Sequence, residues 1–67
     1  MKAKEYDRIR TLVEISSGLS GEPVPAGTEG TIVDVSAEGA AELYYADIEV
    51  GDSYDNIALR PEQFELV

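Results

Sequence analysis

The side chains of this chain that could do chemistry are carboxylates, and they are concentrated in its second half. Four of them come close together in the sequence, Asp47, Glu49, Asp52 and Asp55, with Glu42 nearby. Acids grouped in this way can bind a hard cation, exchange protons, or attract a basic protein. The segment DSYDN lacks the ligand spacing of an EF-hand loop, which disfavours a calcium site.

Residue types that are missing from the chain exclude several classes of enzyme. The 67 residues include no His and no Cys. A zinc site of the Cys/His kind and a Ser-His-Asp or Cys-His nucleophile therefore cannot be built within the chain. Acid pairs alone can hydrolyse glycosides, but a domain this small is not expected to hold a sugar chain in a cleft. We expect a protein that is not an enzyme and binds no cofactor.

The formal net charge is −9, and it is distributed unevenly. Residues 1–10 carry four bases and two acids, a local charge of +2. Residues 11–67 carry Arg60 alone against twelve acids, a local charge of −11. A polyanion would be repelled by such a surface, so nucleic acid is not expected as a partner. A basic protein is the partner that this charge favours. For Arg60 we expect a structural ion pair with a neighbouring acid.

Alternation over residues 42–50 predicts which acids face outward. One face of this strand carries Tyr44, Ala46 and Ile48, and the opposite face carries acids. Because apolar side chains face the core, the acids face solvent. Exposed Tyr beside acids is typical of protein interfaces. The predicted patch for a partner is Tyr45, Asp47, Glu49, Asp52, Tyr54 and Asp55. The alternative is a solvated strand face that protects the sheet from aggregation.

Short apolar runs separated by Gly, Pro and Ser predict an all-β domain. Residues 1–5 are expected to be frayed, and a Gly- and Pro-rich loop covers residues 16–30, with Leu19 and Val24 folded onto the core. Pro61 is expected to end a strand and begin a single 3₁₀ turn. Phe64 or Leu66 then fills the core. The predicted strands are residues 6–15 (with a bulge near residues 11–12), 28–35, 42–50, 56–60 and 65–67, and turns occupy residues 36–41 and 51–55.

This order predicts a single domain, residues 1–67, folded as a small five-stranded SH3-like barrel. The long loop follows the first strand, and the 3₁₀ turn precedes the last. The last strand is expected to pair with the first, because an open sheet of this size would leave both edges exposed.

Four segments of the chain form a distinctive series. They are the pair Tyr-Asp at residues 6–7, the Pro-x-Gly-x-x-Gly-Thr segment at residues 25–33, the acidic strand at residues 47–50, and the Leu-x-Pro-x-Gln ending at residues 59–66. This series resembles a bacterial family of small SH3-like proteins of uncharacterised function. The resemblance covers nearly the whole chain. It implies the barrel fold but no established activity. Some small acidic bacterial proteins of this kind look like immunity proteins for secreted toxins.

We therefore expect a non-enzymatic protein-binding module of immunity or inhibitor type. The alternative is a structural or accessory subunit of a larger complex or homo-oligomer. The sequence leaves the oligomeric state open. No apolar run is long enough to cross a bilayer, and no signal peptide is visible, so we expect a cytoplasmic protein without a membrane partner.

Overall fold

A computed structural model describes residues 2–16, 23–38 and 41–67 of the chain. These residues form seven β-strands and one 3₁₀ turn, and they include no α-helix. The all-β prediction is therefore confirmed. The elements are β1 (Arg8–Thr11), β2 (Ile15–Ser16), β3 (Pro23–Val24), β4 (Glu29–Glu38), β5 (Ala41–Val50), β6 (Ser53–Leu59), the 3₁₀ turn (Pro61–Gln63) and β7 (Phe64–Leu66).

Five of the strands form one antiparallel sheet in the order β6-β5-β4-β1-β7, and β2 pairs separately with β3. The last strand lies beside the first, with Thr11 opposite Phe64, as the sequence predicts. The predicted first strand is divided, because residues 12–14 leave the sheet between β1 and β2. Within the described ranges no pairing joins the edge strands β6 and β7, so a five-stranded sheet is present but a closed barrel is not found.

The core lies on one face of this sheet and contains one aromatic pair. The rings of Tyr44 and Phe64 meet edge to face, with centroids 5.1 Å apart and an interplanar angle of 73°. This geometry is favourable for aromatic rings. Phe64 fills the core, whereas Leu66 remains half exposed. The buried apolar side chains are Ala3, Ile9, Ile15, Val24, Ile32, Tyr44, Ala46, Ile48, Ile57, Leu59 and Phe64.

Gly30 allows β4 and β5 to approach closely at the centre of the sheet. It lies opposite Ile48. A Cβ at this position would lie 2.6 Å from Ile48 Cδ1 and 2.7 Å from the backbone oxygen of Asp47. Only glycine fits there without displacing backbone. Further along β4 the register shifts between Ile32 and Asp34, which makes Val33 a bulge.

The start of the chain is held against the core, in contrast to the fraying that the sequence predicts. Ala3 is buried. The backbone N–H of Lys2 donates to the Tyr44 hydroxyl at 2.8 Å, and its ammonium donates to the carbonyls of Pro61 and Phe64. The ammonium also lies 4.6 Å from the centroid of the Phe64 ring. Lys2 therefore connects the start of the chain to both β5 and β7.

The hairpin between β5 and β6 is tighter than the predicted turn over residues 51–55. Val50 pairs with Ser53, which leaves a loop of Gly51 and Asp52 alone. Gly51 has a φ of +59°. A positive φ at the first loop position suits a two-residue hairpin, because it matches the twist of the strands. Tyr54 and Asp55 consequently belong to β6, and the prediction of a longer turn is wrong.

Candidate protein-binding face

Alternation along β5 points Asp47 and Glu49 away from the core, as predicted. Asp47 lies between Thr31 on β4 and Asn56 on β6. Its Oδ1 accepts a hydrogen bond from Asn56 Nδ2 at 3.2 Å. The amide of Asn56 thus positions the Asp47 carboxylate. Because the amide is neutral, this contact does not offset the negative charge of the carboxylate.

Glu49, by contrast, is paired with Arg8 of β1. Arg8 Nη2 lies 3.0 Å from Glu49 Oε2 and 3.1 Å from Glu29 Oε1, and Nη1 donates to Thr31 Oγ1 at 2.9 Å. The hydrogen bond that Arg8 donates to Glu49, and then the one that it donates to Glu29, raises the pKa of Arg8 above its ordinary value. Arg8 therefore remains cationic and offsets part of the negative charge of the outer sheet face.

The second arginine of β1 is also paired with an acid. Arg10 Nε and Nη2 both donate to Glu65 Oε2, at 3.0 and 2.9 Å. All three ion pairs are about half exposed to solvent, so each contributes little to stability. Their effect is on the distribution of charge. The positive charges of Arg8 and Arg10 lie among acids from β4, β5 and β7 and do not form a basic surface.

Asp55 lies on the inner side of the sheet rather than on the outward face, and its predicted role in partner binding stays a prediction. It pairs with Ile48 and points to the same side of β6 as Ile57. Its exposed fraction is 9%. The reason is the short hairpin: once β6 begins at Ser53, the period of two directs Asp55 inward.

The two tyrosines of the predicted patch lie at different depths. Tyr54 is 66% exposed and pairs with Glu49. Tyr45 is half-buried and lies between Ala58 on β6 and an exposed acid on β4, Asp34. Asp52 is exposed in the hairpin loop. We call this set the acidic face: Asp34, Tyr45, Asp47, Glu49, Asp52 and Tyr54.

Asp34 was not among the acids predicted from sequence. The sequence Val-Asp-Val at residues 33–35 indicates an acid that faces the opposite side of the strand from its apolar neighbours. Because the bulge at Val33 interrupts the alternation, the side of the sheet that Asp34 faces cannot be assigned from this pattern alone. In the structure Asp34 is exposed, and its Oδ1 accepts the N–H of Val35 at 2.8 Å. It extends the acidic face from β5 onto β4.

Two surface grooves adjoin the acidic face, and Leu43 forms a wall of both. Leu43 is 36% exposed. The first groove, of about 430 Å³, is lined by Ala41, Glu42, Leu43, Arg60, Pro61 and Glu62. The second groove, of about 250 Å³, is lined by Ser36, Ala41, Leu43 and Tyr45.

The predicted structural ion pair of Arg60 is not found within the described part of the chain. The ion pairs of these residues belong to Arg8 and Arg10. The backbone N–H of Arg60 instead donates to Gln63 Oε1 at 2.7 Å and caps the 3₁₀ turn. Its side chain contributes a positive charge to the first groove. The described residues hold no group of three or more potential metal ligands.

Comparison with known proteins gives no relative from which a function could be transferred. No family model matches the chain, and neither a curated protein nor a solved structure matches it significantly. Of the helices in residues 2–16, 23–38 and 41–67, none has the length and apolar character needed to span a membrane.

Proposed function

We propose that the chain is a non-enzymatic protein-binding module whose acidic face engages a basic protein. The observation that carries this proposal is the environment of Tyr45. Its ring lies on the outer sheet face with Asp34 directly across the strand pair and Asp47 two residues further along. An amphipathic ring between carboxylates suits contact with the aliphatic stem and the charged head of Lys or Arg.

We also propose that the chain folds as an SH3-like barrel. A meander of β4, β5 and β6, with the last strand returning beside the first, is the strand order that such a barrel uses. The bulge at Val33 supports this architecture, because a bulge bends a long strand and lets it contribute to two halves of a barrel. The resemblance to small bacterial SH3-like proteins supports the same fold.

Charge supports the choice of partner. The chain carries a net charge of −9, and Arg8 compensates only two acids of the outer face. Complementary charges accelerate association and matter most at low ionic strength. Neutralisation of a basic toxin, in the manner of an immunity or inhibitor protein, is the most specific form of the proposal.

The experiment is a binding measurement with the product of the neighbouring gene. Biolayer interferometry at about 50 and about 500 mM NaCl should give a complex whose association slows at high salt, since screening shortens the reach of surface charge. The absence of a complex at both salt concentrations would reject this partner. A complex with a salt-independent association rate would reject the acidic face as its contact.

A second candidate is an accessory subunit or homo-oligomer, and exposed apolar side chains favour it. Leu12 and Val13 between β1 and β2, and Leu66 and Val67 near β7, are each about half exposed. None of them belongs to the acidic face. Light scattering over a range of protein concentrations tests this candidate: a mass that rises with concentration and is insensitive to salt would support it over the acidic-face proposal.

A further inference from the structure

One end of β5 extends beyond its neighbour. β5 begins at Ala41, but its pairing with β6 reaches only to Tyr44, which lies opposite Leu59. The chain leaves the sheet at Pro61, which has no N–H to donate to a strand ladder. Residues 41–43 therefore pair with β4 on one side, and on the other side no described strand pairs with them.

The first groove lies at this unpaired edge. Its apolar walls are Ala41, Leu43 and Pro61, and two acids and one base are placed around them. The acids are Glu42 and Glu62, and the base is Arg60. The groove thus offers an apolar surface and a local excess of negative charge beside a strand segment that the 3₁₀ turn contacts but with which no described strand pairs on that side.

Glu42 is held in place at this groove. The Tyr44 hydroxyl donates to Glu42 Oε1 at 2.9 Å and accepts the backbone N–H of Lys2 at 2.8 Å. Tyr44 itself is fully buried. Binding to a carboxylate that is already ordered costs less side-chain entropy than binding to a mobile one.

The groove is continuous with the acidic face through Leu43. The second groove places Leu43 and Tyr45 along one surface, and Asp34 lies across from Tyr45. A segment that lies beside residues 41–43 would therefore be adjacent to Tyr45 of the acidic face.

We propose that the open edge of β5 binds an extended, basic segment of the partner protein. The segment adds beside Ala41–Leu43, places one aliphatic side chain against Leu43 and Pro61, and directs flanking Lys or Arg toward Glu42 and Glu62. Strand addition of this kind takes affinity from backbone hydrogen bonds and specificity from alternate side chains. The inference rests on the proposed function, because it names how the basic partner is recognised. An acidic segment is excluded by the net charge of −9.

The test uses three capped peptides titrated into the ¹⁵N-labelled protein and followed by NMR. One contains Lys-Leu-Lys, the second Lys-Ser-Lys and the third Ser-Leu-Ser. Short peptides bind weakly, so a dissociation constant of ~1 mM is expected for the first. It should shift the amides of Ala41, Glu42 and Leu43 saturably. The other two should bind at least about fivefold more weakly, because each lacks the apolar or the charged contact.

Matched variants check that the groove itself binds. Leu43→Ser should weaken binding of the Lys-Leu-Lys peptide at least about fivefold, since it removes the shared apolar wall. Leu12→Ser makes the same change at an exposed site between β1 and β2 and should leave binding unchanged. Arg60→Gln should tighten binding about twofold, because it removes the positive charge that Arg60 contributes to the groove.

The outcomes separate this inference from the proposed function. If both Lys peptides shift the amides of Asp47 and Glu49 and neither shifts residues 41–43, the acidic face stands and the open edge is rejected. If the Ser-Leu-Ser peptide binds residues 41–43 as tightly as Lys-Leu-Lys, the preference of this edge for a basic segment is wrong, whereas the acidic face is tested separately by the salt dependence of the association rate. If dilution of the protein alone shifts residues 41–43, the occupant is a second copy of the chain and the inference is overturned.

Discussion

The guanidinium of Arg8 lies 3.0 Å from the carboxylate of Glu49, although 41 residues separate them in the sequence. The two residues are not on neighbouring strands, because β4 lies between β1 and β5. Arg8 reaches across β4 and contacts Glu29 and Thr31 on the way. The positive start of the chain thus moderates the negative field of the face proposed to bind a partner.

Removal of Arg8 should strengthen that field. We expect Arg8→Ala to accelerate association with a lysine-rich peptide severalfold at low salt, because Glu49 and Glu29 lose their counter-charge. Arg10→Ala changes the net charge by the same amount but frees Glu65 on β7, and it should have a smaller effect. Stopped-flow fluorescence at about 50 mM NaCl measures both rates. Equal acceleration by the two variants would show that net charge, rather than this face, controls association.

Asp47 and Asp55 allow a second comparison, between two substitutions that change the formal charge of the chain equally. Asp47→Asn should slow association, since Asp47 points outward, and it keeps an amide oxygen that can accept the bond from Asn56. Asp55→Asn removes one negative charge from an inward position and should change the rate less. The same stopped-flow measurement compares them. A larger effect of Asp55→Asn would contradict the assignment of the binding face.

Gly30 and Gly51 should respond to substitution by alanine for different reasons. Gly30→Ala is expected to lower the free energy of unfolding by about 2 kcal/mol, because its Cβ would overlap the backbone of β5. Gly51→Ala should cost about 1 kcal/mol, because its φ is positive while the space around it is empty. Urea denaturation followed by circular dichroism gives both values. A smaller loss for Gly30→Ala than for Gly51→Ala would argue against the close approach at Ile48.

Lys2 should stabilise the fold more than Lys4. Lys2→Met removes the ammonium contacts with Pro61, Phe64 and its ring, and we expect a loss of about 1 kcal/mol. Lys4→Met alters an exposed side chain and should be nearly neutral. Thermal unfolding of the two variants is the measurement. Equal melting temperatures would mean that Lys2 does not anchor the start of the chain.

The parts of the fold that follow from local rules could be predicted from the sequence. Alternation placed Tyr44, Ala46 and Ile48 inward, and Pro61 predicted where β6 gives way to the 3₁₀ turn. The sequence pattern assigns Asp55 to a turn over residues 51–55, but the loop contains only Gly51 and Asp52, so β6 continues through Asp55 and alternation directs it to the same side as Ile57. The length of that loop depends on the backbone conformation of Gly51, which composition alone does not reveal.

Contacts between distant segments could not be read from residue patterns. Arg8 and Glu49 meet because of the registers of β1 on β4 and of β4 on β5, which the sequence does not specify. Lys2 belongs to a segment too short to show periodicity. The unpaired edge of residues 41–43 arises from the different lengths of β5 and β6, and strand ends are the least certain feature of a sequence-based assignment. The predicted contact of Leu19 with the core lies outside the described residues.

The strand order also has a consequence for how the chain folds. β4, β5 and β6 are consecutive, and tight hairpins can bring them together at a small cost in loop entropy. The pairing of β1 with β7 instead joins Thr11 to Phe64, from opposite ends of the chain. Contacts between residues so far apart form slowly. We therefore expect the three-stranded meander, which carries the acidic face, to form before β1 and β7 are added, so that the surface proposed for binding develops early in folding.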